Sequence, residues 1–179
     1  MIELRDAVLA DAGKIARLHV SSWRAAYSDL APAPVFAAMD GALRLARWTA
    51  TLESPSPHQV VLAAWAGERL LGVGAASEPS EPLFGDRGEL KSIYVDPGAQ
   101  RMGVGRRLMG ALAGRLADRG YGGAALGVVE GNEAAMAFYT ALGAREIGRY
   151  VDPGPLWRST NIALAWDDLS FLAASSTTS

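Results

Sequence analysis

Cysteine is absent from this chain, which excludes a disulfide scaffold, a thiolate metal site and a cysteine nucleophile, and fits a reducing compartment. Histidine is nearly absent: His19 falls on the apolar face of a helical stretch and His58 in a Pro-rich turn. Neither has a second histidine at ligand spacing, so no metal site is expected. An excess of one charge is also lacking. With 17 Lys+Arg, 19 Asp+Glu and a formal net charge of -2, no overall basic field would draw nucleic acid or an anionic membrane. No run approaches the roughly 20 apolar residues of a membrane span. The start, Met1 to Asp6, has neither the basic stretch nor the apolar run of a signal peptide. A soluble, cytoplasmic protein is expected, monomer or homodimer, with neither nucleic acid nor membrane as partner.

What remains is ordinary globular material: 179 residues, 50% of them hydrophobic, enough for one compact domain with a substantial core. That domain is expected over 1–170, and the small, polar end of the chain, 171–179, is expected to be disordered. Alternation gives a first strand over 2–5. Helical spacing of Ile15, Leu18, His19, Trp23 and Tyr27 follows, ending near Pro32. A second helix is expected over 35–52, with Phe36, Met39, Leu43, Ala46 and Arg47 on its inner stripe. The apolar runs 60–65 and 70–76 flank a Gly-containing turn and read as a hairpin. Residues 78–88, with two prolines and two glycines, read as an exposed loop.

Further on, a strand over 89–95 is followed by a helix over about 103–119 that puts Val104, Leu108, Leu112 and Leu116 on one buried face. Gly110 and Gly114 weaken that helix, each by roughly 1 kcal/mol relative to Ala, and suggest close packing on a sheet. A short strand at 124–129 leads to a helix capped by Asn132 and ended by Gly143. Strands at 144–150 and 157–166 close the chain. The order predicts an α/β fold with a mixed sheet and helices on both faces.

Between strand and helix lies Asp96-Pro97-Gly98-Ala99-Gln100-Arg101-Met102-Gly103-Val104-Gly105-Arg106-Arg107. Glycines at 103 and 105 let successive N–H groups converge, and the helix start adds free donors and the positive dipole end. Arg101, Arg106 and Arg107 set three cations beside this cradle, which suits a pyrophosphate or ribose phosphate. A dinucleotide fingerprint does not fit, because Leu108 stands where a third glycine is needed and Asp96 to Met102 separate the first glycine from the strand. A nucleoside-triphosphate loop does not fit either, since no Gly-Lys-Ser/Thr closes the run.

Here the chain resembles the GNAT superfamily of N-acetyltransferases, whose signature is Gln/Arg-x-x-Gly-x-Gly/Ala after a strand ending in apolar-x-Val-x-Pro. The matching residues are Ile93-Tyr94-Val95-Asp96-Pro97 and Gln100 to Gly105, followed by Asn132 to Gly143. The likeness is good over 60–166 and looser before that, where Trp23-Arg24-Ala25-Ala26-Tyr27 looks like a segment of bacterial members with unassigned substrates. The resemblance implies a mostly antiparallel central sheet and acetyl-coenzyme A as donor. It places the pantetheine arm along Ile93, Tyr94 and Val95, and the pyrophosphate on Gln100, Arg101, Met102, Gly103, Val104, Gly105 and Arg106. Asn132 would touch the donor from the neighbouring helix start. A non-catalytic coenzyme-A-binding module and a transferase of longer acyl groups are the alternatives.

An amine of lysine type has a pKa near 10.4, so only about one molecule in a few thousand is nucleophilic at pH 7. Glu89, at the head of the strand before the loop, matches the position of a general base in part of the family. It shares the alternation of Lys91, Ile93 and Val95 if no bulge intervenes; a structural carboxylate paired with a cation is the alternative. Tyr139, two helical turns after Asn132 on the same side, is the candidate acid toward the leaving sulfur. Trp23, Tyr27 and Tyr150 are candidate walls of a pocket for an unidentified amine acceptor, since in this family the acceptor enters beside the first helices and the last hairpin.

Overall fold

The computed structural model describes residues 1–154, 157–170 and 172. Alternating and helical apolar patterns resolve into β1 (Glu3–Asp6), α1 (Ala12–Tyr27), α2 (Ala33–Ala38), α3 (Gly41–Glu53), β2 (Val60–Ala66), β3 (Arg69–Ser77) and β4 (Gly88–Val95). After these come α4 (Val104–Ala117), β5 (Ala124–Val129), α5 (Glu133–Ala141), β6 (Arg145–Asp152) and β7 (Ser159–Trp166). One seven-stranded sheet has the order β1-β2-β3-β4-β5-β7-β6. Every neighbouring pair is antiparallel except β4 and β5, which run parallel. The fold is the mixed, mostly antiparallel α/β arrangement expected.

One face of the sheet carries α4 and α5. Val104, Leu108, Leu112 and Leu116 are at most 1% exposed, and each such side chain stabilises the fold by about 1.5–3 kcal/mol relative to exposure. They press on strand glycines. A Cβ at Gly72 would lie 2.9 Å from Val104 Cγ1, one at Gly74 2.8 Å from Leu112 Cδ1, and one at Gly88 within 2.5 Å of Leu116 Cδ2. Strand glycines thus make the close approaches seen, whereas of the two helix glycines a Cβ on Gly114 would meet nothing within 4 Å and Gly110 is buried. The opposite face is covered by α1 and α3 over β2 and β3, with Ile15, Leu18, Trp48, Trp65 and Val73 inside.

The single helix expected over 35–52 is two. The chain breaks at Met39, and Asp40 caps α3 by accepting a hydrogen bond from the Ala42 N–H at 2.9 Å. An Asx cap satisfies a free donor at the helix start, so it competes with helix continuation. The inner face of α3 is also not the stripe expected: Arg44 and Trp48 are buried, whereas Leu43 is 37% exposed. Residues 78–88 contain a 3-10 turn at Pro82–Phe84, and Phe84 is fully buried against Ala125, Ala163 and Ala165. Of the tail expected to be disordered, Leu172 is buried in the main core; 171 and 173–179 lie outside the described residues.

Candidate active site where two strands part

The parallel pair is the short one. Gly88 pairs with Ala124 and Glu89 with Ala125, and the register goes no further, although β4 runs on to Val95 and β5 to Val129. A wedge therefore opens between the strands toward their C-terminal ends. The Asp96 N–H donates to Leu71 O at 2.8 Å, which sets the phase of the β3–β4 ladder. Hydrogen-bonded and free positions alternate in an antiparallel pair. With Tyr94 opposite Val73 and Ser92 opposite Ala75, those two residues exchange hydrogen bonds with β3. Ile93 and Val95 turn their N–H and C=O groups into the wedge. Val95 O already accepts a hydrogen bond from Ser22 Oγ of α1 at 2.7 Å.

Below the wedge lies the start of α4. Gly103 is its N-cap, with φ 80°, and no side chain caps the helix. The first bond into α4 from the cap is Arg107 N–H to Gly103 O, so the preceding N–H groups are free donors at the positive dipole end. Arg101 holds φ 63°, a left-handed conformation that few non-glycine residues adopt. Gly105 faces α5, where a Cβ would lie 3.1 Å from Phe138 Cζ. Gln100, Arg101, Met102 and Arg106 are exposed around the cradle, and Val104 is buried beneath it. Arg101 and Arg106 form no ion pair among the described residues.

On the other side of the wedge, Asn132 Oδ1 accepts from the Ala135 N–H at 3.2 Å, capping α5. Tyr139 projects from the same helix toward Tyr27 and Tyr94. Burial pushes the Tyr139 phenol above its ordinary value, and the neighbouring Tyr27 and Tyr94 add to the shift. Tyr94 is raised for the same reasons, burial first and then Tyr27, with Arg44 opposing. Burial raises Tyr27 as well, against the Asn132 side chain beside it. Three phenols from α1, β4 and α5 thus lie close enough to raise one another's pKa, all held protonated.

A bulge changes the position of Glu89. The register of β4 slips between Ala75 and Ala76 of β3, leaving Lys91 as the extra residue. Leu90 and Ile93 accordingly share the α4 face, and Glu89 lies on the opposite face, out of phase with Ile93 and Val95. The condition for a simple alternation fails. Glu89 is 8% exposed and accepts from the Ser80 N–H and from Lys91 Nζ, both at 2.7 Å. Tyr150 is in its electrostatic range. The Tyr150 hydroxyl sits against Gly127 and accepts from Asn161 Nδ2 at 3.3 Å, and its ring meets Phe84 edge-on at 5.7 Å.

The aromatic candidates for the acceptor wall divide. Trp23 and Tyr27 are together, 4.9 Å between centroids, with Phe36 of α2 beside Trp23 and Trp157 edge-on to Tyr27 at 6.0 Å. Tyr150 belongs to the separate cluster with Phe84. Three residues that the sequence pattern did not single out reach the site: Ser22 on Val95, His19 stacked on Tyr94, and Arg44 beside Tyr94. The available signal for Arg44 was its place four residues before Trp48 and eight before Leu52. An open cleft of about 350 Å³ is lined by residues that include Lys14, Arg17, Ser21, Arg69 and Asp96, beside the end of β4. Among the described residues no group of three His, Asp or Glu could hold a metal ion, and no helix is long and apolar enough to cross a membrane.

A parallel pair that parts after two residues, next to an uncapped helix start rich in glycine and arginine, can take an extended ligand that ends in an anion. The chain belongs to the acetyltransferase (GNAT) family, whose model matches residues 20–144. It is 28% identical over 172 residues to the uncharacterized N-acetyltransferase YuaI of Bacillus subtilis (strain 168), covering 96% of each chain. Its fold is similar to that of the PaiA N-acetyltransferase of Thermoplasma acidophilum in complex with coenzyme A, at a TM-score of 0.69 and 16% identity, covering 92% of this chain and 98% of that one. It is likewise similar to YncA, a putative acetyltransferase from Salmonella typhimurium with its cofactor acetyl-CoA, at 0.67 and 21%, covering 95% of both.

Proposed function

We propose that the chain transfers an acetyl group from acetyl-coenzyme A to the amine of a small molecule or a protein amino terminus by direct attack. The observation that carries this reading is the free edge of Ile93 and Val95 running down to the uncapped start of α4. That edge can take an extended amide-bearing arm as an added strand, and the helix start can take the diphosphate attached to it. The residues present fit such a donor: free N–H groups from Gly103 to Arg106, flanking cations at Arg101 and Arg106, and Asn132 at the second helix start. Solved relatives of the same fold, named above with coenzyme A and with acetyl-CoA, support it.

The donor supplies a thioester carbonyl for the amine to attack and a thiolate to leave. The chain does the rest. Backbone N–H groups of β4 in the wedge offer hydrogen bonds to the oxygen that gains charge. Tyr139, kept protonated by burial, gives its hydroxyl proton to the departing sulfur. Glu89 receives the proton of the amine, through water, and in doing so gives up its pair with Lys91. Trp23 and Tyr27 form one wall of the acceptor pocket and Tyr150 stands on the Glu89 side.

Calorimetric titration with acetyl-coenzyme A, followed by an acceptor screen that reads free thiol release, tests the reading. Binding in the micromolar range and thiol release with an amine are expected. Absence of binding by acetyl-, propionyl- and succinyl-coenzyme A alike would overturn it, while tighter binding of a longer acyl group would correct the donor alone.

A further inference from the structure

Arg44 is nine-tenths buried, at 9% exposure, yet among the described residues no carboxylate pairs with it. Its single side-chain hydrogen bond is from Nε to the Met39 sulfur at 3.2 Å, and a thioether is a weak acceptor. Its terminal nitrogens are not sealed off without partners; the indole nitrogen of Trp65 is the side-chain atom in that state among the described residues. The terminal nitrogens therefore keep some contact with solvent. Burial lowers the Arg44 pKa, with the Tyr94 phenol opposing. Removing a cation from water is costly unless an anion or strong acceptors replace the hydration.

The surroundings place the cation. Met39 is 1% exposed and is shared by two arginines, since Arg24 Nη2 donates to its carbonyl at 3.1 Å. Arg24 lies over the Phe36 ring at 5.6 Å, and Phe36 adjoins Trp23. Tyr94 is the neighbour that Arg44 shares with Tyr27 and Tyr139. Arg44 thus adjoins Tyr94 and, through Met39, the Arg24, Phe36 and Trp23 cluster that borders the acceptor wall. Among the described residues no acid forms an ion pair with Arg44; the buried carboxylates Glu89 and Asp11 pair with Lys91 and Arg5.

We propose that Arg44 binds a carboxylate of the acceptor, so that the acceptor is an amine that also carries a carboxylate, as an amino acid does. A planar, doubly donating guanidinium is the side chain best matched to that group. The proposal rests on the transferase reading above and specifies the acceptor of that same site.

The test compares the common L-amino acids with their primary carboxamides as acceptors, read by thiol release with acetyl-coenzyme A. Wild-type protein is expected to acetylate at least one of the acids with kcat/KM about ten-fold or more above its amide, because a site built to hydrogen-bond a group rejects an analogue lacking it. R44Q should reduce that ratio to about one, mainly through KM, and R44K should keep part of it, while calorimetric acetyl-coenzyme A affinity stays at the wild-type value in both. Amides equal to or better than acids in the wild type, acid preference retained in R44Q, or acetylation confined to amines without a carboxylate would each overturn the proposal and leave the donor reading standing. Donor binding with no carboxylate-bearing amine acetylated would do the same. Loss of acetyl-coenzyme A binding in the wild type would instead remove both readings together.

Discussion

The imidazole of His19 lies flat against the phenol of Tyr94, 4.0 Å between centroids and 23° between planes. Its Nδ1 accepts a hydrogen bond from the Trp48 indole N–H at 3.1 Å, which places the remaining ring proton of the neutral form on Nε2. Burial, then the nearby Arg44 and Arg47, brings His19 down from 6.5 to about 3. A residue that sequence spacing placed in the apolar face of a helix is thereby a neutral spacer. It joins α1 to α3 through Trp48 and fixes the Tyr94 ring beside the site.

That neutrality has a thermodynamic consequence. The unfolded chain takes up a proton on His19 below about 6.5, and the folded chain does not until about 3. Stability is therefore fully present above the unfolded value and falls as pH drops through this window, by up to about 1.4 kcal/mol per pH unit. Urea melts between pH 7 and 4 should show the loss. H19Q keeps an acceptor for Trp48 and removes the titration, so its slope should be smaller by one proton. Superimposable pH profiles for the two proteins would contradict the buried neutral imidazole.

For Tyr139, Y139F should leave acetyl-coenzyme A affinity within about two-fold and lower kcat by about 100-fold when chemistry limits the rate. Because burial raises its pKa, the phenol stays protonated through mildly alkaline pH, and the wild-type rate should not fall between pH 7 and 9 on its account. A chemistry-limited rate unaffected by the substitution removes the acid role. In that case the edge-on contact with Trp166 at 6.1 Å is a packing contact alone.

Close packing of sheet on helix is measurable at Gly72. A Cβ there would meet Val104 Cγ1 at 2.9 Å, Leu108 Cδ1 at 3.0 Å and the Tyr94 carbonyl oxygen at 3.1 Å. The side chains can yield, but a strand carbonyl cannot. G72A should cost about 1–3 kcal/mol, as overpacking does, and lower Tm by about 2–4 °C for each kcal/mol in a chain of this size. Since the displaced element is the start of α4, KM for acetyl-coenzyme A should rise as well. A substitution with unchanged Tm would mean that α4 is not seated on β3 in this way.

Local order accounts for what the sequence made legible. The four-residue spacing from Val104 to Leu116 and the apolar run bounded by turns at Ala124–Val129 located α4 and β5, and glycines with arginines located the cradle between them. The wedge was not legible, because it depends on where β4 stops pairing with β5, a contact between distant segments. The bulge at Lys91 was hidden likewise: it arises in pairing with β3, and it moves Glu89 off the face that alternation assigns. Asp40-Gly41 was a cap signal inside a stretch whose apolar spacing reads as continuous helix. Arg44 was concealed by its type, since an arginine on a helix is ordinarily solvated.

Glu89 separates two roles that predict different outcomes. If Glu89 is the proton acceptor for the amine, E89Q should lower kcat/KM by about 100-fold with acetyl-coenzyme A affinity retained. As a structural acceptor, the same substitution leaves the Ser80 N–H and Lys91 with a weaker partner and costs stability alone. K91M distinguishes them further. It removes the ammonium at 2.7 Å and keeps the carboxylate, so it should retain most of the wild-type kcat/KM if the carboxylate is the base. Activity intact in both variants, with lowered Tm in E89Q, would assign Glu89 to the Ser80 turn and require the amine to lose its proton to solvent water within the wedge.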